Sequence, residues 1–171
     1  MGILICGLNG VGKSTLGRLL AKRLSYPFID NEDLYFPKTD RRYAYLAPRG
    51  KEEVIRLLEE RIEKSGDFVF AAVKGDYGEK LLARLDNIIL VEVPREIRLV
   101  RVRARSAEKF GDRICAGGDL AGRENAWFTQ VESRPEDYVL RWLETVDRPV
   151  IRVDGTKPVE ENAEYLVSIL A

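Results

Sequence analysis

The chain contains no histidine, only two cysteines and no excess of either charge. Histidine is the side chain that most often moves protons near neutral pH, so a general base here must be a carboxylate, a lysine or a bound water. Cys6 and Cys115 lack the number and the spacing of a disulfide framework or a metal-ligand set. Any catalytic site in this protein must therefore be built without imidazole and without a cysteine cluster.

The 171 residues suit one domain and include 28 lysines and arginines against 28 aspartates and glutamates. Because the net charge is zero, the chain as a whole does not favour nucleic acid or an anionic membrane as a partner, and any basic patch must be local. No apolar run approaches the roughly 20 residues that cross a bilayer, and the apolar start is too short for a signal peptide. We therefore expect a cytoplasmic protein without membrane association, whose oligomeric state the sequence leaves open.

Short apolar runs alternate with helical patterns along the whole chain. Strands are predicted at residues 2–6, 28–30, 68–73, 87–93 and 149–153. One of the intervening helices is predicted over residues 51–64, where Ile55, Leu58 and Ile62 share a face. Because hairpin signals are missing, this alternation predicts a three-layer α/β domain over residues 1–171, with about five parallel strands and helices on both faces.

The stretch GLNGVGKST, residues 7–15, separates the first strand from the first helix and is called the phosphate loop below. It fits the spacing G-x-x-x-x-G-K-[ST], in which glycines let backbone N–H groups turn toward one point. The helix that follows adds free N–H groups and the positive end of its dipole. Lys13 is predicted to reach the terminal phosphates of ATP and Ser14 to ligate Mg²⁺.

The predicted nucleotide-binding residues of this loop are Gly7, Asn9, Gly10, Val11, Gly12, Lys13, Ser14 and Thr15. Within this set, Asn9 and Val11 are expected to shape the loop, and Thr15 supplies a second hydroxyl.

Carboxylates follow the second strand in the sequence FIDNED. Asp30 ends that strand, at the sheet edge where ligands bind in open parallel sheets. It is predicted to be catalytic and to hold Mg²⁺ or accept the proton of an acceptor hydroxyl; the alternative is a helix N-cap. Asp33 is the second candidate for a catalytic and acceptor-binding role, and Glu32 ranks below it. Without histidine, one of these carboxylates is expected to position the nucleophile.

Arginines recur on one face of the predicted helix from residue 95, at Arg98, Arg101 and Arg105. They are either solvated surface or the cations of a lid that closes over a transferring phosphoryl group. Arg101 and Arg105 are predicted to be catalytic, and Arg101 to contact the nucleotide as well.

The remaining candidates lie in loops, apart from Arg134, which is placed in the helix after the predicted lid. Gly155, Thr156 and Lys157 either flank the adenine through backbone groups or form an ordinary strand-to-helix turn. Arginines and tyrosines of the loop after FIDNED suit a phosphorylated or acidic acceptor, with a solvated loop as the alternative. The predicted acceptor-binding residues are Asp33, Arg42, Arg49, Lys74, Asp76, Tyr77 and Arg134.

A compact chain with such a loop near its start, and without the guanine-specific N-K-x-D sequence, resembles the small-molecule kinases. FIDNEDLYF is similar to the acidic acceptor-side segment of shikimate-kinase-like proteins, and residues 98–119 lie where those kinases have their lid. VDGTKPVEENAEYL resembles their last strand and adenine-side loop. KFGDRICAGGDL, SRPEDYVLRWL and PVIRVDGT resemble a group of bacterial AAA-type ATPases or putative kinases.

The resemblance implies a P-loop NTPase fold with an acceptor-side region at about residues 31–65 and a lid at about residues 101–124. It implies transfer of the γ-phosphoryl group of ATP–Mg²⁺ to a nucleoside, a nucleotide or another hydroxylated metabolite. The third strand departs from these kinases because it ends in VKGDYG, where adenylate-kinase-like enzymes have D-G-[FY]-P-R and shikimate kinases have a triple glycine. The R-P-L lid sequence of shikimate kinases is also missing. The acceptor is therefore expected to be neither AMP in its usual pose nor shikimate.

Two further hypotheses stay open. One is an ATP-binding regulatory or ATPase module without a small-molecule acceptor, which the unusual VKGDYG turn favours. The other is a toxin-like or antibiotic-modifying phosphotransferase, which differs from a metabolic kinase only in its acceptor.

Overall fold

The computed structural model describes residues 1–170, and within them five strands form one parallel sheet. The strands are β1 (Gly2–Cys6), β2 (Phe28–Asp30), β3 (Phe68–Ala71), β4 (Asn87–Glu92) and β5 (Val150–Asp154). Their order across the sheet is β2-β3-β1-β4-β5, and every neighbouring pair runs parallel. The predicted parallel sheet is confirmed, with the first strand of the chain at its centre.

The end of β3 differs from the prediction and bears on the site. The strand was predicted to reach residue 73 but ends at Ala71. Beyond it the backbone turns toward the phosphate loop, where the Gly7 N–H donates to the carbonyl of Val73 at 3.1 Å. The two residues after β3 therefore support the start of the loop instead of extending the ladder with β2.

Eight α-helices and one 3₁₀ helix lie within residues 1–170, and none of them is long and apolar enough to span a bilayer. The α-helices are α1 (Lys13–Leu24), α2 (Asn31–Tyr35), α3 (Lys51–Ser65), α4 (Glu79–Arg84), α5 (Arg95–Phe110), α6 (Ala121–Ser133), α7 (Tyr138–Leu143) and α8 (Val159–Leu170). The 3₁₀ helix covers Gly111–Ile114, inside the predicted lid.

The helices cover both faces of the sheet and create two hydrophobic cores. Side chains of a strand point alternately to the two faces, so Leu4 and Ile5 of β1 belong to different cores. Leu4 packs in the core that includes Leu58 of α3, together with residues of α4 and α7. Ile5 packs in the core that includes Leu20 of α1 and Leu166 of α8. This arrangement makes the third layer and leaves the carboxyl ends of the strands at one edge, where ligands bind in such sheets.

Leu20 provides a test of the core between α1 and α8. Its side chain is fully buried, whereas the neighbouring Leu19 is half-buried at the periphery of the same core. Leu20→Ala is expected to lower the free energy of unfolding by about 3 kcal/mol, because it removes buried methyl groups and leaves a cavity. Leu19→Ala is the matched control and is expected to cost about 1 kcal/mol or less. Equal losses in urea denaturation would contradict this assignment of the core.

Candidate active site

The phosphate loop takes a conformation that glycine permits. Gly10 and Gly12 have φ angles of +87° and +93°, in the left-handed region that other residues rarely adopt. Gly12 is the N-cap of α1, and within residues 1–170 no side chain caps this helix, so the first-turn N–H groups keep the freedom to bind an anion. The Lys13 ammonium donates to the carbonyl of Leu8 at 3.0 Å, which places the charge inside the loop.

Positive charge converges on Lys13. Burial disfavours its charged form and lowers the pKa of Lys13 to about 8. The carboxylate of Asp30 opposes this shift, and the guanidinium groups of Arg134 and Arg105 add to it. Two of the predicted lid and acceptor arginines therefore lie close enough to Lys13 to act on its charge. The thiol of Cys6 lies beneath the loop, and burial raises the pKa of Cys6 to about 12, so this thiol is neutral.

Asp30 is the N-cap of α2, as one of the two alternatives had it, and it also lies beside the phosphate loop. One carboxylate oxygen accepts from the Glu32 N–H at 3.0 Å, which is the N-cap of α2. The other accepts from Arg18 at 3.1 Å. The side chain is nearly buried and is one of the charges that act on Lys13, so it also lies beside the phosphate loop.

Glu32 lies where the lid meets the acceptor side. Its carboxylate is 3.3 Å from Arg105, 3.8 Å from the ammonium of Lys109 and 3.3 Å from the hydroxyl of Tyr45. Asp33, which the sequence ranked higher, pairs with Lys38 at 2.5 Å and is 44% exposed. Lys38 also lies 3.2 Å from Glu32, so the two carboxylates share this ammonium, and Glu32 is the less exposed of the two at 26%. One feature could have pointed to Glu32: it lies in the first turn of a helix that starts at the edge of the sheet where ligands bind.

The three arginines of α5 contact three different walls of the site. Arg98 donates to the carbonyl of Asn9 in the phosphate loop at 3.2 Å. Arg101 donates to the carbonyl of Gly155, in the predicted adenine-side turn, at 3.0 Å. Arg105 reaches the acceptor-side Glu32, as described above. The three arginines therefore share one face of α5, as predicted. Arg98, to which the sequence analysis gave no role, is the buried one of the three.

Glu136, in the connection between α6 and α7, was also missed. It accepts from Arg98 with both carboxylate oxygens, at 2.7 and 2.8 Å, and from Arg95 at 2.9 Å. Burial would raise the pKa of Glu136, but the hydrogen bonds from these arginines outweigh it and lower the pKa. The distance of 38 residues between Arg98 and Glu136 explains why no sequence spacing indicated the pair.

The adenine-side turn lines a cavity of about 490 Å³ at the carboxyl ends of β4 and β5. Thr156 forms part of its lining, and both its N–H and its hydroxyl donate to Asp154, at 2.8 and 2.6 Å. Lys157 pairs with Glu161 at 2.6 Å. The backbone N–H groups are paired as well, that of Gly155 with the carbonyl of Glu92 at 2.8 Å and that of Lys157 with the carbonyl of Asp154 at 3.2 Å. The turn is therefore held by local hydrogen bonds of both its side chains and its backbone.

The predicted acceptor residues separate into an inner and an outer group. Arg134 and Lys74 both lie over the ring of Tyr138, at 5.2 and 4.5 Å from its centroid. Arg134 also donates to the side-chain oxygen of Asn9 at 2.5 Å. By contrast, the guanidinium of Arg42 is 86% exposed. The inner pair lies next to the phosphate loop, and Arg42 lies on the outside.

The turn after β3 and the start of α3 fix the remaining candidates. Asp76 pairs with Lys74 at 3.2 Å and with Lys51 at 3.0 Å. Tyr77 is buried and its hydroxyl donates to Asn31 at 2.7 Å.

Arg49, in the loop before α3, donates to the carbonyl of Leu34 at 2.8 Å and pairs with Glu53 at 3.2 Å. These contacts tie the turn and the loop before α3 to α2.

The lid and the acceptor-side segment are joined by a buried carboxylate. Glu124 of α6 accepts from the hydroxyls of Tyr43 at 2.6 Å and Ser106 at 2.7 Å; we call these three residues the Glu124 cluster. Burial and this carboxylate raise the pKa of Tyr43, so the phenol stays protonated as the donor. The Tyr43 ring also contacts Phe110, with centroids 5.4 Å apart. The segment after α2 is therefore packed directly against the lid.

Comparison with known proteins adds to this geometry. Residues 3–119 match a family model described as an AAA domain. The chain is 39% identical over 134 residues to a shikimate kinase of Symbiobacterium thermophilum, covering 74% of this chain and 76% of that protein. It is 24% identical over 175 residues to the uncharacterized protein YqaC of Bacillus subtilis, covering 98% of this chain and 96% of that protein.

Among solved structures, a gluconokinase from Sinorhizobium meliloti 1021 superposes with a TM-score of 0.53 at 19% identity. The match covers 99% of this chain and 94% of the gluconokinase chain. This likeness confirms the predicted fold, a three-layer α/β arrangement of the P-loop type.

The Glu124 cluster predicts a stability difference between two otherwise identical substitutions. Tyr43→Phe removes a donor to a buried carboxylate and is expected to lower the free energy of unfolding by about 2 kcal/mol. Tyr165 is half exposed on α8, so Tyr165→Phe is the matched control and is expected to change it by less than about 0.5 kcal/mol. Urea denaturation of both variants measures the difference, and equal effects would show that the cluster contributes nothing to stability.

Proposed function

The chain belongs to the AAA domain family and to the superfamily of P-loop small-molecule kinases, and from this premise we propose that it transfers the γ-phosphoryl group of ATP to a small-molecule acceptor. The observation that carries the proposal is the convergence of Lys13, Arg105 and Arg134 beside an uncapped helix N-terminus. A polyphosphate is the ligand that satisfies both features, because it neutralises cations and accepts from free N–H groups.

In this proposal the phosphate loop from Gly7 to Thr15 holds the β- and γ-phosphates, and Lys13 contacts the terminal oxygens. The adenine lies against the backbone of Gly155–Lys157, beside the cavity at the ends of β4 and β5. Arg101 is within reach of the nucleotide there, since it already donates to the carbonyl of Gly155. The ligand therefore spans the distance from the centre of the sheet to its β5 edge.

Magnesium fits the residues beside the loop. Within residues 1–170 no group of three or more acidic or cysteine side chains could hold a metal ion by itself. Mg²⁺ usually keeps several waters and binds through phosphates and one or two protein oxygens, so no such group is required. The Ser14 hydroxyl and the Asp30 carboxylate, the latter through a water, are the proposed protein ligands. When bound, the ion neutralises charge on the phosphate oxygens.

The transfer step needs an acceptor hydroxyl in line with the γ-phosphorus. Its oxygen forms the new bond to phosphorus, the bond to the β–γ bridging oxygen breaks, and ADP leaves. The hydroxyl proton passes to a carboxylate, for which Asp30 and Glu32 are the proposed candidates. Asp33 is less suited, because its carboxylate is 44% exposed, against 26% for that of Glu32. Arg105, with Lys13, stabilises the transferring group and helps to exclude water.

The acceptor is proposed to be a hydroxylated metabolite with an acidic group. Arg134 and Lys74 provide positive charge on the Tyr138 ring beside the loop. Arg49, Asp76 and Tyr77 form the neighbouring wall, and Arg42 contributes at its outer rim. The relatives named shikimate kinase and gluconokinase support the kinase class. The VKGDYG turn still argues against shikimate itself.

One observation favours the alternative of an ATP-binding regulatory module. The carboxylates and cations of the acceptor side pair with each other, as Glu32 does with Arg105 and Asp76 does with Lys74. A protein with this role would bind ATP and report its presence through the lid without transferring phosphate.

A turnover assay separates these functions. The protein is incubated with ATP, Mg²⁺ and a panel of hydroxylated metabolites with and without acidic groups, and ADP release is followed. A kinase gives acceptor-dependent ADP release, and Lys13→Ala is expected to reduce it by a factor of about 100 or more with an unchanged circular dichroism spectrum. Lys22→Ala, on the exposed side of the same helix, is the matched control and should keep full activity.

Two results would contradict this proposal. Tight ATP binding without ADP release for any acceptor would favour the regulatory module. Full activity of the Lys13→Ala variant would refute the role given to Lys13, even if the protein is a kinase.

The pKa of Lys13 predicts how ATP affinity depends on pH. Below pH 8 the ammonium is already charged, whereas above pH 8 it must take up a proton when phosphate binds, because phosphate raises its pKa. The Kd for ATP is therefore expected to increase above pH 8, with a slope approaching tenfold per pH unit. Calorimetry between pH 7 and 9.5 measures this dependence of the Kd, in a protein whose exposed Cys115 is replaced by serine (Cys115→Ser). The Lys13→Ala variant should bind more weakly and without this slope, and a flat profile for the parent protein would contradict the prediction.

A further inference from the structure

We infer that Arg98 is a positioning residue that fixes the shape of the phosphate loop through the carbonyl of Asn9, and that Glu136 holds Arg98 in place for this purpose. The inference rests on the proposed function, because the shape of the loop matters only if it binds phosphate. Neither residue belongs to the sequence pattern of the loop.

The burial of Arg98 is the first observation. Its side chain is 3% exposed, although most of the other arginines and lysines of α5 lie near or at the surface. A buried guanidinium is tolerated only when it is paired, and the bidentate bond to Glu136 supplies that pairing. Since buried ion pairs add little net stability, their presence at one loop suggests a role in its geometry.

The direction of the peptide after Asn9 is the second observation. The bond from Arg98 to the Asn9 carbonyl, at 3.2 Å, turns that carbonyl toward α5. In a planar trans peptide the following N–H points the opposite way, so the N–H of Gly10 is turned away from α5. The Arg98 side chain therefore sets the direction in which the N–H of Gly10, one of the donors of the loop, points.

The same helix also constrains Gly10 through its backbone. A Cβ at Gly10 would lie 2.4 Å from the carbonyl oxygen of Arg98, so the loop is in close contact with α5 at this point. The side chain and the backbone of one residue thus hold two successive residues of the loop.

Asn9 is held from a second direction as well. Arg134 donates to its side-chain oxygen at 2.5 Å, and Arg134 lies in the same connection between α6 and α7 as Glu136. That connection therefore fixes Asn9 twice, once directly through Arg134 and once through Glu136 and Arg98. A role limited to packing α5 against α7 would not need either contact with the loop.

Two variants and one control test this inference. Arg98→Lys keeps the charge but cannot reach Glu136 and Asn9 together, and Glu136→Gln keeps the shape but removes the charge that orients Arg98. Arg103→Met is the matched control, because Arg103 pairs with Glu132 of α6 at 2.5 Å without contacting the loop. Hydrogen exchange of the backbone amides of residues 8–14 reports loop order in the absence of any ligand, and calorimetry gives the Kd for ATP–Mg²⁺.

In Arg98→Lys, amide exchange in residues 8–14 is expected to accelerate and the Kd to rise, each by about tenfold, which corresponds to the loss of one charge-assisted hydrogen bond. Glu136→Gln should show a smaller change in the same direction. Arg103→Met should match the parent protein, and exchange in the rest of the sheet should be unchanged in all three variants.

Unchanged exchange in residues 8–14 of both Arg98→Lys and Glu136→Gln would overturn the inference, as would equal changes in Arg103→Met. Faster exchange spread over the whole chain would indicate a general loss of stability and would overturn it too. If Arg98→Lys does not fold, Glu136→Gln alone decides, because Glu136 is half exposed and tolerates substitution. If the parent protein does not bind ATP, the proposed function fails, while the exchange data still decide whether Arg98 orders the loop.

Discussion

A loop can hold a polyphosphate with its backbone only if the chain takes left-handed torsions at defined positions and is supported there from several sides. Gly10 and Gly12 provide the torsions, and three elements provide the support. β1 brings the chain to the centre of the sheet, the residues after β3 accept a hydrogen bond from the start of the loop, and α5 lies against its middle. These same elements set the path of the chain around the loop, and the positions of the other candidate residues depend on that path.

The charges of the chain are also distributed around this loop. A net charge of zero conceals a local concentration of cations, because α5 and the connection between α6 and α7 direct arginines toward one loop. Their counter-charges, Asp30, Glu32 and Glu136, lie at the ends of neighbouring elements; Glu32 pairs with Arg105, and Glu136 pairs with Arg98. The result is a site in which cations and carboxylates lie side by side at the phosphate loop, an arrangement that suits the proposed transfer of a charged group.

Local patterns were sufficient to predict the fold and the loop. The alternation of short strands and helices predicts the parallel sheet because each element carries its own periodicity, and the glycine spacing of residues 7–15 predicts the turn because torsion preference is local. The lid partners were not predictable in this way. Arg98 and Glu136 are 38 residues apart, and Tyr43 and Glu124 are 81 apart, so only the packed chain brings them together. That Glu32 and not Asp33 contacts Arg105 depends on the orientation of a short helix, which composition does not reveal.

The Glu124 cluster has a consequence for how this protein can diversify. The segment after α2 is the proposed acceptor side, and its Tyr43 donates to a buried carboxylate that belongs to α6. Grafting a segment without a tyrosine at this position, and without a matching change in α6, would leave the buried carboxylate of Glu124 with Ser106 but without its phenol donor. If this segment lines the acceptor site, as proposed, a change of acceptor is expected to require paired substitutions in the segment and in α6.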